Sequence, residues 1–299
     1  MAYLQLKVQI REDQFSQLDD LLSRSGALSV SAMDAEDQPI LEPKPGETPL
    51  WQNLSLTALF PANKNQAKVI NRIKPHLNET QQASLSWTEV PEEAWERAWM
   101  QHYQPICFAE QLWVGSTEHT PPDALKAILF LDPGLAFGTG SHPTTYLCLE
   151  WLSTQDLIGK TLIDYGCGSG ILMLAALKLG AHFGHGVDLD PQALTATKDN
   201  AERNQIQGNF SLDLPDTFSI ETRADILIAN ILANPLIELA HFLSSLLNPK
   251  GKIVLSGLLH EQAASVKKAY ALEINWINQH EKDGWICLVG EKIVANSPR

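Results

Sequence analysis

Four cysteines, at positions 107, 148, 167 and 287, are all that the chain has, and they form no C-x-x-C pair and no cluster with histidine. Disulfide frameworks and zinc sites require closer spacing, so these residues are expected to be small buried fillers in a reducing compartment. Basic charge is scarce as well. Lys plus Arg number 22 against 35 Asp plus Glu, a formal net charge of −13 in 299 residues. Residues 1–100 alone hold 9 basic and 14 acidic side chains, so the imbalance is spread along the chain. Phosphate backbones are gripped by clustered cations, which argues against direct nucleic-acid binding and leaves a basic protein as the better partner. No apolar run approaches the ~20 residues that span a bilayer. The opening MAYLQLKVQIRED lacks a charged leader followed by an apolar region, so no membrane association and a cytoplasmic location are expected. The Asn-x-Ser/Thr triplets that begin at Asn53, Asn78 and Asn209 then carry no glycan meaning.

What the chain does have is a glycine-rich stretch, TLIDYGCGSGIL, from Thr161 to Leu172. Leu162 and Ile163 lead into Asp164, glycines follow at 166, 168 and 170, and an apolar segment runs on to Leu177. This reads as a buried strand, a tight turn and a helix, with the turn shaped to bring backbone close to a ligand. The dinucleotide fingerprint places its third glycine three positions after the second. Here the spacing is Asp164-x-Gly166-x-Gly168-x-Gly170, without that gap. A second strand, Phe183 to Val187, ends at Asp188, 22 residues after Gly166, where a carboxylate can accept both hydroxyls of a ribose. An acidic residue beside the loop and no pyrophosphate glycine suit a nucleoside with an amino-acid tail, such as S-adenosyl-L-methionine. Asp164, Gly166, Gly168 and Asp188 are the cofactor-binding candidates from this reasoning.

Two domains are expected at this length. Leu4, Leu6, Val8 and Ile10 alternate as in a half-buried strand, and Phe15, Leu18, Leu21 and Leu22 recur at helical spacing before Gly26. A strand follows around Ala27 to Met33, then an acidic, proline-rich loop to Pro49. Leu54, Leu56, Ala58 and Phe60 alternate again, Val69, Ile70, Ile73 and Leu77 are spaced for a helix, and Leu85 and Trp87 mark a last strand. The order β-α-β-β-α-β predicts a small α+β ferredoxin-like domain over 1–90. It carries no titratable cluster or nucleophile, so a structural role and substrate recognition are both open. Pro91 to Pro105, with Trp95 and Trp99 on one face, reads as a linker helix. Residues 106–299 alternate strand and helix, which predicts an α/β, Rossmann-like doubly wound sheet with ligands at the carboxyl ends of its strands. Asp164, Asp188 and Asn230, which closes the apolar run ADILIA, all fall at such ends.

The segment 132–145, DPGLAFGTGSHPTT, precedes the first cofactor strand and reads as a lid, with Ser141 and Pro143 as cap and first-turn residues of the helix behind it. His142 in this segment is either a proton acceptor or a helix-start residue.

LDPGLAFGTGSHPTT, WERAW, DYGCGSGIL, VDLDPQA and ANILANPL all occur behind a small amino-terminal domain. With these motifs the chain resembles the class I S-adenosylmethionine-dependent methyltransferases, and within them the ribosomal protein L-eleven (L11) methyltransferase, or PrmA, family. The resemblance covers the whole chain. It implies a seven-stranded sheet with the last strand antiparallel and an amino-terminal domain that holds the ribosomal protein. It also implies cofactor contacts at Thr145, Gly166, Asp188 and Asn230, with Phe137 of the lid a further candidate, and lysine and α-amino groups as methyl acceptors. Asn230 is the candidate for aligning the amine. Enzymes that methylate planar nitrogens carry Asn/Asp-Pro-Pro-Tyr/Phe there, and Asn230-Ile231-Leu232-Ala233 offers no ring to stack, which favours an aliphatic amine. Alternatives are a methyltransferase for RNA or another protein, a nicotinamide oxidoreductase, and a module that only senses the cofactor.

Overall fold

Leu4, Leu6, Val8 and Ile10 are all buried in the structure, a computed structural model, while Lys7, Gln9 and Arg11 between them are exposed. Residues 3–36, 50–90, 104–123, 125–131 and 140–294 are described. The chain divides into two units, Met1–Ala98 and Trp99–Arg299. The expected linker helix at 91–105 lies outside the described residues except for its last two positions, and so do most of the acidic loop and the lid residues 132–139, with Phe137.

In the first unit β1 (Tyr3–Arg11) is followed by α1 (Phe15–Arg24), β2 (Ser29–Asp34), β3 (Asn53–Pro61), α2 (Gln66–Ile73), a short α3 (Glu79–Ala83) and β4 (Ser86–Val90). The strands form one antiparallel sheet in the order β2-β3-β1-β4. Its inward residues pack with Leu18 and Leu22 of α1 and Val69 and Ile73 of α2. Asn65 caps α2 by accepting from Lys68 N at 3.1 Å. The helical spacing was expected to run to Leu77. Instead α2 stops at Ile73 and a 3-10 turn, Lys74–His76, follows. Pro75 has no N–H to continue the helix and disfavours helical backbone at the residue before it.

The second unit opens with a three-stranded sheet, β5 (Ile106–Phe108), β6 (Leu112–Gly115) and β7 (Ala127–Phe130), of which only the last was expected. Then come α4 (Pro143–Ser153), β8 (Thr161–Tyr165), α5 (Ile171–Lys178), β9 (Phe183–Val187), α6 (Pro191–Arg203), β10 (Phe210–Asp213) and β11 (Ala224–Asn230). The chain continues through α7 (Ala233–Glu238), α8 (Ala240–Ser245), β12 (Leu247–Leu259), α9 (Ala263–Ala269), β13 (Ile274–Lys282) and β14 (Trp285–Lys292). The seven-stranded sheet has the order β10-β9-β8-β11-β12-β14-β13. β8 to β12 pair in parallel, and the last strand, β14, is antiparallel to both neighbours.

Leu162 belongs to one core and Ile163 to the other, on opposite faces of β8. Each such burial stabilises by ~2 kcal/mol, and a one-residue slip would misdirect the whole strand, so the register is strongly specified. The single helix expected from Pro235 to Leu247 is two, broken at Leu239, whose backbone leaves the helical region at φ −89°, ψ 5°. β13 runs past the expected Asn278 to Lys282, because Asp283 and Gly284, at φ +51° and +79°, make a tight hairpin into β14. No helix among the described residues is long and apolar enough to cross a membrane.

Candidate active site

The carboxyl ends of β8, β9, β11 and β12 meet at one side of the sheet, where a cleft of about 700 Å³ opens. Its lining includes His142, Thr145, Gly166, Gly168, Asn230 and Trp285. Between β8 and α5 the backbone turns through left-handed conformations at Gly166, Gly168 and Gly170, with φ of +81°, +55° and +76°. Gly166 N and Cys167 N donate to Val187 O at 2.7 and 3.0 Å, and Gly168 N donates to Asp188 Oδ2 at 2.8 Å. From α6, Thr197 Oγ1 donates to Gly168 O and Asn200 Nδ2 to Ser169 O, each at 2.9 Å. The loop is therefore fixed before any ligand arrives, and its shape does not depend on one.

Asp188 is half-buried, and its Oδ1 accepts from Asp190 N at 3.0 Å. Each carboxylate oxygen keeps a lone pair for a further donor, as a ribose hydroxyl requires. Asp164 is placed differently. It is fully buried behind the glycine turn; its Oδ2 accepts from Met173 N at 3.0 Å, its Oδ1 has no partner among the described residues, and neither it nor Asp188 is part of the cleft lining. Burial pushes its carboxyl up to about 7, opposed by the Met173 bond and assisted by the charge of Asp188. Burial also raises the Cys167 thiol, ahead of the Asp164 charge, which keeps this cysteine an inert filler.

These residues fit a nucleoside with a charged amino-acid tail. The cleft lies within the ~300–1,000 Å³ typical of ligand pockets. Its lining holds no Lys or Arg among the described residues, so nothing there answers a pyrophosphate.

At the other end of the cleft, Asn230 closes β11 and its Nδ2 donates to Thr145 Oγ1 at 3.2 Å. Thr145 is buried in the first turn of α4. The bond leaves Asn230 Oδ1 as an acceptor with no partner among the described residues. α4 begins at His142 rather than at the expected cap Ser141: the His142 Nδ1 accepts from Thr144 N at 3.4 Å and pairs with Thr144 Oγ1 at 2.8 Å. The ring stands edge-on to Trp285 with centroids 5.1 Å apart, and burial lowers its pKa, so it is neutral at physiological pH. Trp285, Gly257 and Leu232 also line the cleft and were missed from the sequence. Gly257 could have been found, since it follows the apolar run of β12 at a strand end like the others. Trp285 had no such signal.

A glycine turn held by Asp188 and the Thr145–Asn230 pair thus occur together on a seven-stranded sheet with an antiparallel last strand. The family model for ribosomal protein L11 methyltransferase (PrmA) matches residues 2–293. The chain belongs to the ribosomal protein L11 methyltransferase family. It is 48% identical over 296 residues to the ribosomal protein L11 methyltransferase of Marinobacter nauticus, covering 98% of this chain and 99% of that one. With the Shewanella amazonensis protein of the same name it is 44% identical over 292 residues, covering 97% and 98%. A solved structure, ribosomal protein L11 methylase from Lactobacillus delbrueckii subsp. bulgaricus, aligns with a TM-score of 0.58 at 31% identity, over 64% of this chain and all of that one. Membership in the PrmA family makes the chain a methyltransferase.

Proposed function

We propose that this methyltransferase transfers methyl groups from S-adenosyl-L-methionine to lysine side chains and the amino-terminal α-amino group of ribosomal protein L11 in the cytoplasm. The observation that carries the reading is Asn230, which lines the cleft, is held through its Nδ2 by Thr145, and is followed by Ile231, Leu232 and Ala233 instead of an aromatic ring. The glycine turn with Asp188 supports the nucleoside end of the cofactor. Thr145, Gly166, Gly168 and Asn230 line the space between that end and the amine, and Asp164 acts from behind by tying the end of β8 to the start of α5. The first unit, proposed to be a ferredoxin-like recognition domain joined by a linker helix, holds the ribosomal protein.

When bound, the cofactor supplies an activated methyl group on a sulfonium. The protein has to orient the amine in line with it and exclude water. The amine must be neutral to attack, whereas lysine titrates near ~10.4 and an α-amino group near ~8 in water. The apolar rim formed by Ile231 and Leu232 disfavours the ammonium by desolvation. Asn230 Oδ1 accepts a hydrogen bond from the neutral amine and so aims its lone pair. A carbonyl acceptor followed in the chain by Ile231 and Leu232, with no ring among the next three residues, suits an aliphatic nitrogen. His142 Nδ1 is engaged in capping α4, which makes it a holder of the Thr145 helix.

The test is methyl transfer from labelled S-adenosyl-L-methionine to purified L11 protein, with total ribosomal RNA as parallel acceptor. Label on protein amines and none on RNA is expected. Label on RNA alone would replace this reading by that of an RNA methyltransferase.

A further inference from the structure

The turn that carries Asn230 is wedged between two glycines of neighbouring strands. β11 lies between β8 and β12 in the sheet. Just past its last paired residue, Ile231 has Gly166 on the β8 side and Gly257 on the β12 side. A Cβ at Gly257 would collide with the Ile231 carbonyl oxygen and stand 2.8 Å from its carbonyl carbon and 3.0 Å from its nitrogen. The backbone of Ile231 therefore occupies the place that a side chain at Gly257 would need. At Gly166 the collision would be with Ile231 Cγ2 only, the end of a side chain. Gly257 sits in an irregularity of the β12–β14 ladder, between Leu255 and Leu258, at φ +86°. Its neighbour Ser256 pairs with Asn230 across the ladder, and its one hydroxyl hydrogen is shared between Ile286 O at 3.0 Å and Thr144 O at 3.3 Å. One short piece of β12 thus holds both partners of the Thr145–Asn230 bond: Ser256 holds the helix of Thr145, and Gly257 seats the peptide that follows Asn230.

We propose that Gly257 is a positioning residue for methyl transfer, its missing side chain letting the Ile231 peptide seat against β12 so that Asn230 stays aimed at the amine. This rests on the proposed role of Asn230 in an amine methyltransferase. The contact is with backbone, so no change of side chain at 231 can relieve a Cβ at 257. Asn tolerates the left-handed conformation that Ala resists, yet carries the same Cβ. The two substitutions therefore separate the need for space from the need for positive φ.

The experiment compares Gly257→Ala and Gly257→Asn with the unsubstituted enzyme in kcat, cofactor affinity and crystal structure. Displacing a catalytic group by ~1 Å costs ~100-fold in rate, and that loss in kcat is expected for both variants. Cofactor Kd should stay within about threefold, and the crystal structures should show the Ile231 peptide moved and the Asn230–Thr145 bond broken. Recovery of kcat in Gly257→Asn, a rise in cofactor Kd equal to the fall in kcat, or an intact bond in the crystals overturns the proposal. Ile231→Ala, which leaves the backbone on Gly257 but trims the apolar rim, should keep the Asn230–Thr145 bond in its crystal structure whatever its kcat. If neither Gly257 variant folds, loss of the Asn230–Thr145 bond in crystals of Ile231→Ala assigns the positioning to the side chain and overturns the proposal, and its retention supports the backbone contact. Should the unsubstituted enzyme methylate no L11 amine, the functional reading fails, while the crystal structures still decide whether Gly257 seats the turn.

Discussion

Replacing Asp164 by Asn should make the enzyme more stable, by an amount that grows as the pH rises from about 4 to about 8. The Asp164 carboxyl is fully buried, has one oxygen without a partner, and is pushed up to about 7 by that burial. An unfolded aspartate titrates near ~3.9. Between these values the folded chain holds a proton that the unfolded chain has released, so stability falls as pH rises from about 4 through about 7. Three pKa units at ~1.4 kcal/mol each set an upper limit of about 4 kcal/mol on the cost of the ionised group at pH 8. Asparagine keeps an oxygen for Met173 N and never ionises. At pH 5 the unfolded aspartate is already ionised, so the variant should lead by up to about 1.5 kcal/mol, offset by at most about 1 kcal/mol for one amide group without a full set of partners. At pH 8 the variant should lead by up to about 4 kcal/mol. Urea unfolding of both proteins at pH 5 and pH 8, read by a probe confined to the Trp99–Arg299 unit, measures the difference. All other titrating groups cancel in the comparison. Parallel pH dependences for the two proteins would refute the reasoning.

Thr145→Val keeps the shape of a buried side chain but removes the oxygen that holds Asn230; losing that bond and the aim it gives is worth ~1–3 kcal/mol, so kcat should fall ~5–150-fold, measured at saturating cofactor. Asp188→Asn removes the charge that faces the ribose while leaving an oxygen for Gly168 N, and calorimetry should show cofactor Kd raised ~10–100-fold, with kcat at saturation little changed.

The doubly wound sheet was legible because its signals are local and periodic: a continuous apolar strand such as ADILIA, a glycine turn, and a polar residue at each strand end. Asp164, Asp188 and Asn230 were found for that reason, and the family motifs added Thr145. What Asp164 does was not legible. An aspartate before a glycine turn can face the ligand or lie behind it, and only packing shows that it is buried with its Oδ2 on Met173 N. Helix limits failed where the cause was a single backbone angle, as at Leu239, or a side chain with two possible tasks, as when His142 rather than Ser141 capped α4. β5 and β6 are short, and neither strand has the run of four apolar residues that makes up β7, AILF. Trp285 and Leu232 enter the cleft through tertiary placement, which has no local pattern. Gly257 was the missed residue with a readable clue, its place at the end of an apolar strand.

The measurement that bears most directly on the account is single-turnover methyl transfer to L11 protein by Asn230→Ala, with cofactor affinity measured on the same preparation. If Asn230 aims the amine, the rate falls ~100-fold or more while cofactor Kd changes little. A normal rate with normal cofactor affinity would contradict the account at its centre and return Asn230 to the role of a strand-end residue.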